Sequence, residues 1–308
     1  MTAIAASDSV LAVDVGATTI KGEVTDAAGR VLAVRAVATP AGAAAFDAVA
    51  DLGCALLDEL SVTQRESVSR AAVVLPGLVD SARSVAVFSS NVGWRNVEVG
   101  HRFRDRWAMP VLIEHDVAVA GWAEWRFGAG RGSDDVCVLI LGTGISGTLS
   151  AGGRLVRGGA GQAGEYGHIP VRYRDGVPCP CGGVGCVETV ASGAAIARTY
   201  RSRTGREISG AAAVFAAADT DPVARAVIDE AVDALAAGLV GVIHASCPEL
   251  IVIAGGLSGA GVALTGALQD RLGALCRLVP VPRVVVGEFG VRAGLVGAAR
   301  YARSGVLA

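Results

Sequence analysis

The chain has 308 residues, of which 52% are hydrophobic and 18% charged, and its formal net charge is −2. This length allows one large core or, as we expect here, two domains, and the charge balance excludes the basic surface of a nucleic-acid or lipid-binding protein. No segment reaches the ~18 uninterrupted apolar residues of a membrane helix. Residues 1–9 lack the basic start and apolar run of a signal peptide, so we expect a cytoplasmic protein.

Two segments share a strand–turn–strand pattern that is rich in glycine and threonine. Near the start, the apolar run 10–15 leads into Gly16-Ala-Thr-Thr19 and a second run, 20–24. Later, the run 136–141 leads into Gly142-Thr-Gly144 and a strand-like stretch. Each pattern predicts a hairpin whose backbone amides can face an anion. The repetition suggests two related lobes that hold a ligand between them.

The other segments alternate between strand and helix patterns. Buried strands are predicted at 71–75, 111–113, 250–253 and 284–286. Helices are predicted at 44–60, 117–127, 188–203, 221–245, 262–276 and 293–302. Such alternation predicts an α/β protein with helices packed on the faces of sheets.

The first turn carries polar groups that could hold a metal–phosphate complex. Asp14 lies just before it, and Mg²⁺ suits such a position, usually through water because it dehydrates reluctantly. The plainer alternative is an aspartate that caps a turn. Thr18 and Thr19 add hydroxyl groups. Lys21, the only lysine in the chain, follows, and its simpler interpretation is a solvated strand end.

The glycines at 142, 144 and 147 also match the dinucleotide-binding fingerprint. That fingerprint requires a helix directly after the glycines, with the pyrophosphate at its N-terminus. Here residues 148–156 have the pattern of a strand and a turn, so the match fails. A phosphate-binding hairpin fits better, through the amides of Gly142, Thr143 and Gly144 and the Thr143 hydroxyl.

Two further features are weak signals when each is taken alone. Gly255 and Gly256 follow an apolar strand, which leaves room for a flat group such as a purine but is also a common turn. Asp116 begins the predicted helix 117–127. It is either an N-cap or a base that takes the proton of an attacking hydroxyl in phosphoryl transfer.

The strongest local signal is a cluster of one histidine and three cysteines. His168, Cys179, Cys181 and Cys186 supply the number and type of ligands that a closed tetrahedral zinc site needs. A disulfide pair is the weaker alternative, because Cys-Pro-Cys is tight and the thiols are expected to stay reduced. Glu165 and Glu188 flank the cluster, so a structural metal would also hold these carboxylates in place.

Taken in order, these motifs resemble those of the ROK family (repressors, open reading frames and sugar kinases), within the actin-like, hexokinase-type ATPase superfamily. The resemblance covers essentially the whole chain. It rests on motifs that include Asp14-Val-Gly-Ala-Thr-Thr, Leu75-Pro-Gly, Asn91-Val-Gly-Trp, Glu114-His-Asp, Leu141-Gly-Thr-Gly, Ala254-Gly-Gly and, most specifically, Cys179-x-Cys-Gly-x-x-Gly-Cys-x-Glu188.

The resemblance implies a two-lobed α/β fold of the actin-like ATPase type, a duplicated ribonuclease H-like fold with a zinc-bound loop. The small lobe is expected to comprise residues 1–115 and a C-terminal helix at about 292–308. The large lobe is expected to comprise residues 116–291, with the zinc loop at 165–188.

The resemblance also implies transfer of a phosphoryl group from ATP, with Mg²⁺, to a hexose hydroxyl, most typically O6 of glucose. The residue that matches Asp116 is the general base in such kinases. The residues implied to hold the sugar are Gly77, Asn91, His115, Glu165, His168 and Glu188. Those implied to hold the nucleotide are Asp14, Gly16, Thr18, Thr19, Gly142, Thr143, Gly144, Gly255 and Gly256.

The sequence departs from the pattern of the family in three places. His115 stands where an asparagine usually contacts the sugar, which leaves the identity of the sugar open. The first turn reads Gly-Ala-Thr-Thr where Gly-Gly-Thr-Lys is typical, and Lys21 could supply the missing charge. Tyr166 replaces a usual leucine, which we interpret as packing.

Several other functions compete with a glucokinase-like enzyme. Repressors of the family carry an N-terminal helix-turn-helix, whereas the 13 residues before Asp14 are few and contain no basic residue, so no DNA binding is expected. The remaining alternatives are a non-catalytic sugar sensor, a kinase for another hexose or N-acetylhexosamine, and a polyphosphate-dependent glucokinase. By resemblance, the chain is also expected to form a homodimer or homotetramer.

Overall fold

A computed structural model describes residues 8–89, 92–159 and 161–307. The strands are β1 Ser9–Val15, β2 Thr19–Thr25, β3 Val31–Ala38, β4 Val68–Leu75, β5 Leu78–Asp80, β6 Val85–Ser89, β7 Trp94–Glu98, β8 Val111–His115, β9 Val136–Leu141, β10 Ile145–Ala151, β11 Arg154–Leu155, β12 Leu250–Ala254 and β13 Arg283–Val286. The α-helices are α1 Ala44–Asp58, α2 Val62–Ser67, α3 Gly100–Trp107, α4 Asp116–Arg126, α5 Glu188–Ala191, α6 Gly193–Thr204, α7 Ala211–Ala217, α8 Pro222–Ser246, α9 Val262–Leu275 and α10 Ala293–Ser304.

The chain divides into two compact α/β units. Unit 1 comprises residues 1–123 and 292–308, and unit 2 comprises residues 124–291. The division falls inside α4, whereas the boundary placed after residue 115 from the sequence falls where α4 begins.

Unit 1 is built on a five-stranded sheet in the order β3-β2-β1-β4-β8. β1, β4 and β8 run parallel, and β1, β2 and β3 form an antiparallel meander. One face packs on α1, so closely that a Cβ added to Gly22 would lie 2.7 Å from the Leu56 side chain. The other face is covered by α10, which contacts β1 and β4. The carboxyl ends of the three parallel strands therefore meet at one edge of the sheet.

A separate three-stranded sheet, β5-β6-β7, follows β4 in unit 1. Gly77 makes the turn that leads into it, with a φ of +93°. A side chain at this position would collide with the Phe88 carbonyl oxygen, so both the backbone conformation and the packing require glycine.

Unit 2 repeats the hairpin-plus-parallel-strand arrangement in a sheet of order β11-β10-β9-β12-β13. β9 and β10 form the antiparallel hairpin, and β12 runs parallel to both β9 and β13. The core of this unit lies between the sheet and helices α6 to α9. Because β10, a strand, follows the turn at 142–144, the exclusion of a dinucleotide-binding fingerprint is confirmed.

The continuous helix predicted at 188–203 is wrong, because the chain breaks at Ser192. This residue has extended dihedral angles (φ −69°, ψ 157°) between α5 and α6. Its hydroxyl oxygen accepts the N–H of Ala195 at 3.1 Å and caps α6. A serine followed by glycine favours such a cap over the interior of a helix.

Among the described residues, no helix combines the length and apolar character that a bilayer crossing requires.

Candidate active site

The edge of unit 1 at which its parallel strands end is organised by the register of those strands. Asp14 in β1 is paired with Val74 in β4, and Val74 is paired with Glu114 in β8. Asp116 follows directly as the first residue of α4. Two residues that the sequence separates by about a hundred positions thus come to the same end of the sheet.

Asp116 lies at a helix start and beside an imidazole. Its Oδ1 accepts the N–H of Val117 at 2.8 Å, and Nε2 of His115 lies 3.2 Å from the same oxygen. Both side chains are 25% exposed, so they can meet a substrate. The first turn of a helix stabilises an ionised carboxylate, which is the form that a general base needs. The local N-terminal bond and a catalytic role are therefore compatible.

Glu114 is buried at this edge of the sheet, and it was not assigned a role from the sequence. Its side chain is only 4% exposed. One oxygen, Oε1, accepts the Ser81 hydroxyl at 2.6 Å and the His115 backbone N–H at 2.9 Å. The carboxylate thereby fixes both the end of β8 and the segment after β5. Its place directly before His115 and Asp116 was the signal that could have identified it.

The pKa of Asp14 is strongly shifted from its ordinary value. Burial and, to a smaller extent, the negative charge of Asp116 raise the pKa of Asp14 to about 7, against the opposing positive charge of Lys21. The carboxyl group also lies against the first turn of α10, where a Cβ on Gly294 would come within 2.5 Å of Oδ2. Asp14 and Asp116 are thus close enough to affect each other electrostatically. A site that mutually shifts acidic groups is typical of catalytic centres.

The turn between β1 and β2 is closed by backbone and side-chain bonds. Gly16 N–H donates to the Thr19 carbonyl at 3.0 Å, and the Thr39 hydroxyl donates to the Gly16 carbonyl at 2.8 Å. Thr18 at the tip is exposed. Of the other residues assigned to the sugar, Gly77 lies just beyond the end of β4, and Asn91 lies outside the described residues.

The zinc ligands predicted from the sequence come together in unit 2. The ligand atoms of His168, Cys179, Cys181 and Cys186 all lie within 4.8 Å of one another. The sulfurs of Cys181 and Cys186 are 3.7 Å apart, and Cys179 Sγ is 3.6 Å from His168 Nδ1. A tetrahedral Zn²⁺ with Zn–S bonds of about 2.3 Å needs sulfurs about 3.8 Å apart. The four side chains therefore fit a structural zinc ion.

The loop that carries these ligands contains little regular structure. It contains a three-residue 3-10 helix at 166–168 and two isolated bridges, Pro170 with Cys186 and Pro178 with Val184, together with turn bonds such as Cys179 N–H to the Gly183 carbonyl at 2.8 Å. Gly183 N–H donates to the Cys181 sulfur at 3.4 Å, and this bond lowers the pKa of Cys181 toward the thiolate that a metal binds. A bound metal would add a cross-link to these backbone bonds.

His168 and Glu165 are paired on the side of the imidazole that faces away from the cysteines. Nδ1 of His168 faces Cys179, and Nε2 lies 3.8 Å from Glu165 Oε2. A bound metal at Nδ1 would leave Nε2–H directed at a carboxylate, an arrangement that commonly orients metal-binding histidines. Both side chains are partly exposed.

Glu188 connects the loop to the second phosphate turn. Its Oε2 accepts the N–H of Ile145 at 2.7 Å, and a Cβ on Gly144 would lie 2.5 Å from the same oxygen. The turn itself is closed by a bond from Gly142 N–H to the Gly144 carbonyl at 2.9 Å. Thr143 at its tip is exposed. A residue assigned to the sugar and residues assigned to phosphate therefore touch directly.

Gly255 and Gly256 lie next to this turn because β12 is the neighbour of β9. Gly255 has a φ of +83°, and a Cβ there would lie 2.6 Å from the Leu141 carbonyl oxygen. Gly256 begins the 3-10 helix Gly256–Ala260. Unit 2 thus brings both glycine pairs to one place, as a purine site beside a phosphate turn requires.

Comparisons with known proteins agree with these arrangements. The ROK family profile matches residues 10–304. A glucokinase of Streptomyces coelicolor is 31% identical over 315 aligned positions, which cover 95% of this chain and 97% of that protein. An N-acetylmannosamine kinase of Yersinia pseudotuberculosis is 31% identical, with 96% and 98% covered. The crystal structure of a ROK family glucokinase from Streptomyces griseus in complex with glucose and AMPPNP superposes with a TM-score of 0.82 at 32% identity, over 96% of this chain and 99% of that one.

Proposed function

Since the chain belongs to the ROK family, we propose that it is an ATP-dependent hexose kinase whose preferred acceptor is O6 of glucose. The observation that carries the proposal is the position of Asp116 at the carboxyl edge of the unit 1 sheet, electrostatically coupled to Asp14. Phosphoryl transfer needs a base for the attacking hydroxyl and an acidic group that attracts Mg²⁺ near the phosphates. The position of Asp116 and its electrostatic effect on Asp14 support these two roles.

Asp116 acts as the general base in this proposal. It accepts the hydroxyl proton as the sugar oxygen attacks the γ-phosphorus, and the bond from that phosphorus to the β,γ-bridging oxygen breaks to release ADP. The Val117 N–H and the His115 ring hold Oδ1, which keeps the carboxylate in a fixed orientation. A correctly placed base of this kind contributes about 10²- to 10⁴-fold in rate.

The sugar and the nucleotide each have a proposed set of binding residues. The proposed sugar-binding residues are Gly77, Asn91, His115, Glu165, His168 and Glu188. The carboxylates of Glu165 and Glu188 can each accept bonds from neighbouring hydroxyls. The turns at Asp14–Thr19 and Gly142–Gly144 bind phosphates through their amides and hydroxyls, and Gly255 and Gly256 leave room for the adenosine.

Two metals accompany this function. Zinc, when bound by His168, Cys179, Cys181 and Cys186, supplies structural rigidity to the loop that carries Glu165 and Glu188. Asp14 would hold Mg²⁺ bound with ATP, usually through water, and the ion would supply neutralisation of phosphate charge. The chain itself contributes by holding these carboxylates next to the site where the ATP phosphates bind.

A kinase for an N-acetylhexosamine is the second candidate. His115 occupies a position at which its imidazole touches the base at 3.2 Å, and its ring differs in shape and donors from the asparagine usual there. An N-acetylmannosamine kinase also aligns with this chain over nearly its full length. The acceptor is therefore the part of the proposal that needs the broadest test.

Sugar-dependent ADP release with MgATP tests both candidates. The panel comprises glucose, mannose, fructose, N-acetylglucosamine and N-acetylmannosamine. We expect turnover on glucose and at least a 10²-fold lower kcat in Asp116→Asn, because the amide cannot take the proton. Glucose affinity, measured by calorimetry, should change little in this variant. Silence across the panel with sugar binding retained would instead identify a sensor.

A further inference from the structure

Ser81, the first residue after β5, lies next to the end of β8. The parallel ladder between β4 and β8 ends with the pair Leu75 and His115. Beyond this pair, one segment continues past Gly77 into β5, and the other continues into α4 at Asp116. β5 contacts β8, so the two segments that leave the ladder stay close to each other. The residue that follows β5 can therefore act on the turn that carries Asp116.

β8 is the outer strand of the unit 1 sheet, which affects how its last peptide groups are held. An N–H group on the outer side of such a strand has no ladder partner and needs another acceptor. The N–H of His115 donates to Oε1 of its neighbour Glu114 at 2.9 Å. The Glu114 carboxylate therefore orients the peptide group between Glu114 and His115, directly before the turn at Asp116.

The hydroxyl of Ser81 holds the same carboxylate oxygen. It donates to Glu114 Oε1 at 2.6 Å, across 33 positions of the sequence. Hydrogen bonds to carboxylates are shorter and stronger than those between neutral groups. Because Glu114 is only 4% exposed, water has little access to replace the hydroxyl. Ser81 therefore contributes directly to the position of the Glu114 side chain.

The turn that carries Ser81 is itself closed by hydrogen bonds. The Asp80 side chain accepts the N–H of Arg83 at 3.0 Å, and the Ser81 carbonyl accepts the N–H of Ser84 at 3.4 Å. The Ser84 carbonyl in turn accepts the N–H of Val99 at 3.1 Å, just before α3. This turn is therefore a fixed support from which a hydroxyl can hold Glu114.

We propose that Ser81 is a positioning residue of the kinase reaction, which acts on the base Asp116 through the Glu114 carboxylate. The inference rests on the proposed function. Ser81 takes no proton in the reaction, and its contribution is geometric. The base must lie within hydrogen-bond reach of the attacking hydroxyl, and a displacement of about 1 Å can cost about 10²-fold in rate. The segment from Gly77 to Ser81 would thus hold the sugar and the base in one frame.

The first experiment compares Ser81→Val with Ser81→Thr, two side chains of nearly equal shape that differ by the hydroxyl group. We expect kcat to fall about tenfold in Ser81→Val, with the KM for the sugar changed less than about twofold. The reason is that the orientation of the base matters in the transition state more than in the bound ground state. Ser81→Thr keeps the donor and should keep kcat within about twofold of the wild type.

Two results of this comparison would overturn the proposal. An equal fall of kcat in both variants would assign the effect to the volume of the side chain. A rise in KM with unchanged kcat in Ser81→Val would limit Ser81 to binding of the sugar.

Ser67→Val is the matched control, because it removes a hydroxyl group at the opposite end of β4. The Ser67 hydroxyl donates to the Gln64 carbonyl at 2.6 Å and to the Ser9 hydroxyl at 2.9 Å. Ser67→Val should lower the Tm by about 2 °C, as Ser81→Val should, but leave kcat at the wild-type value. A fall of kcat in proportion to the Tm in both variants would reduce the effect to stability and overturn the proposal.

Amide hydrogen exchange gives a second readout that does not depend on turnover. The N–H groups of His115 and Val117 both donate to carboxylates at this turn, so their exchange reports its order. We expect at least about tenfold faster exchange at both positions in Ser81→Val, and wild-type rates in Ser81→Thr and Ser67→Val. Wild-type rates in Ser81→Val would overturn the proposal.

The two readouts also separate this inference from the proposed function. If the wild-type chain releases no ADP with any sugar, the kinase function fails, and the exchange rates still decide whether Ser81 holds the turn at Asp116. If the wild type is active and Ser81→Val changes the exchange rates without changing kcat, the hydroxyl has a structural role alone and the proposal is overturned.

Discussion

The two units hold their functional carboxylates by different means. In unit 1, Asp14 and Asp116 are placed by the hydrogen-bonded register of a sheet that is covered on both faces. In unit 2, Glu165 lies in the loop whose ligand set suits a metal, and Glu188 follows that loop as the first residue of α5. Unit 1 thus positions its carboxylates by secondary structure, and in unit 2 we expect a metal cross-link to contribute.

This difference has a chemical reason. Carboxylates at strand ends inherit the rigidity of the core, but they also become buried, and burial shifts the pKa of Asp14 upward. Carboxylates on a loop stay exposed enough to meet a sugar, but they need another constraint. The predictions below test the constraint in each unit separately.

The largest effect is expected from Asp14→Asn, which tests the cost of burial in unit 1. The folded pKa of about 7 lies above the ordinary value of 3.8. The associated stability is therefore complete below pH 4 and is lost as the pH rises to about 7, up to about 4 kcal/mol.

Asparagine has no such titration, so the Tm of Asp14→Asn should increasingly exceed that of the wild type between pH 4 and pH 8. Turnover should be lost over the same range, because the amide does not replace a carboxylate near Mg²⁺. The measurement is a series of melting curves across this pH range. Parallel curves for the two proteins would show that Asp14 is not buried in its charged form.

The next effect is expected from Cys181→Ser, which tests the cross-link in unit 2. Loss of one ligand should release the metal and lower the Tm by about 5 °C, equivalent to about 2 kcal/mol for a chain of this size. Cys247→Ser is the control, since Cys247 is exposed and lies outside the ligand cluster.

Metal content is measured by atomic absorption alongside the melting curves. Amide hydrogen exchange then shows which residues are destabilised. Protection from exchange should fall in residues 165–188 and stay unchanged in β4 and β8. A metal-free variant with an unchanged Tm would contradict a structural role for the metal.

A smaller effect is expected from Gly144→Ala, which tests the close approach of Gly144 to Glu188 in unit 2. The new methyl group would lie 2.5 Å from Glu188 Oε2, so the carboxylate must move. We expect kcat/KM to fall about tenfold, equivalent to about 1.4 kcal/mol, with a small loss of stability.

Gly241→Ala is the matched control for this change. Gly241 lies inside α8, where an added Cβ meets no atom within 4 Å. This variant should keep full activity and gain about 0.5–1 kcal/mol in unfolding free energy from helix propensity. An equal loss of kcat/KM in both variants would show that the contact with Glu188 is not the cause.

The sequence predicted those parts of the site whose residues are close together in the chain. The zinc ligands fall within a short segment, and their chemistry is specific, so their convergence was predictable. Long, strongly apolar strands such as β1 and β9 were also predicted, because their patterns are unambiguous. The two glycine-rich hairpins followed from the same reasoning.

Contacts between distant residues could not be predicted in this way. The bond from Ile145 to Glu188 joins positions 43 residues apart. The pairing of Lys21 with Asp14 depends on the ladder register between β1 and β2, which the sequence does not show. β5 has three residues, too few for a period to be recognised. The break at Ser192 depended on a local cap that competed with an otherwise helical pattern.

The position of α10 in the sequence also orders events during synthesis. Unit 2 is continuous, so residues 124–291 can fold as soon as they have left the ribosome. Unit 1 lacks its last helix until residue 304 has been made, and the sheet face with Asp14 stays open to water until then. In the nascent chain we therefore expect a lower pKa for Asp14, because the burial that raises it is incomplete. Its shifted pKa is a property that only the finished protein acquires.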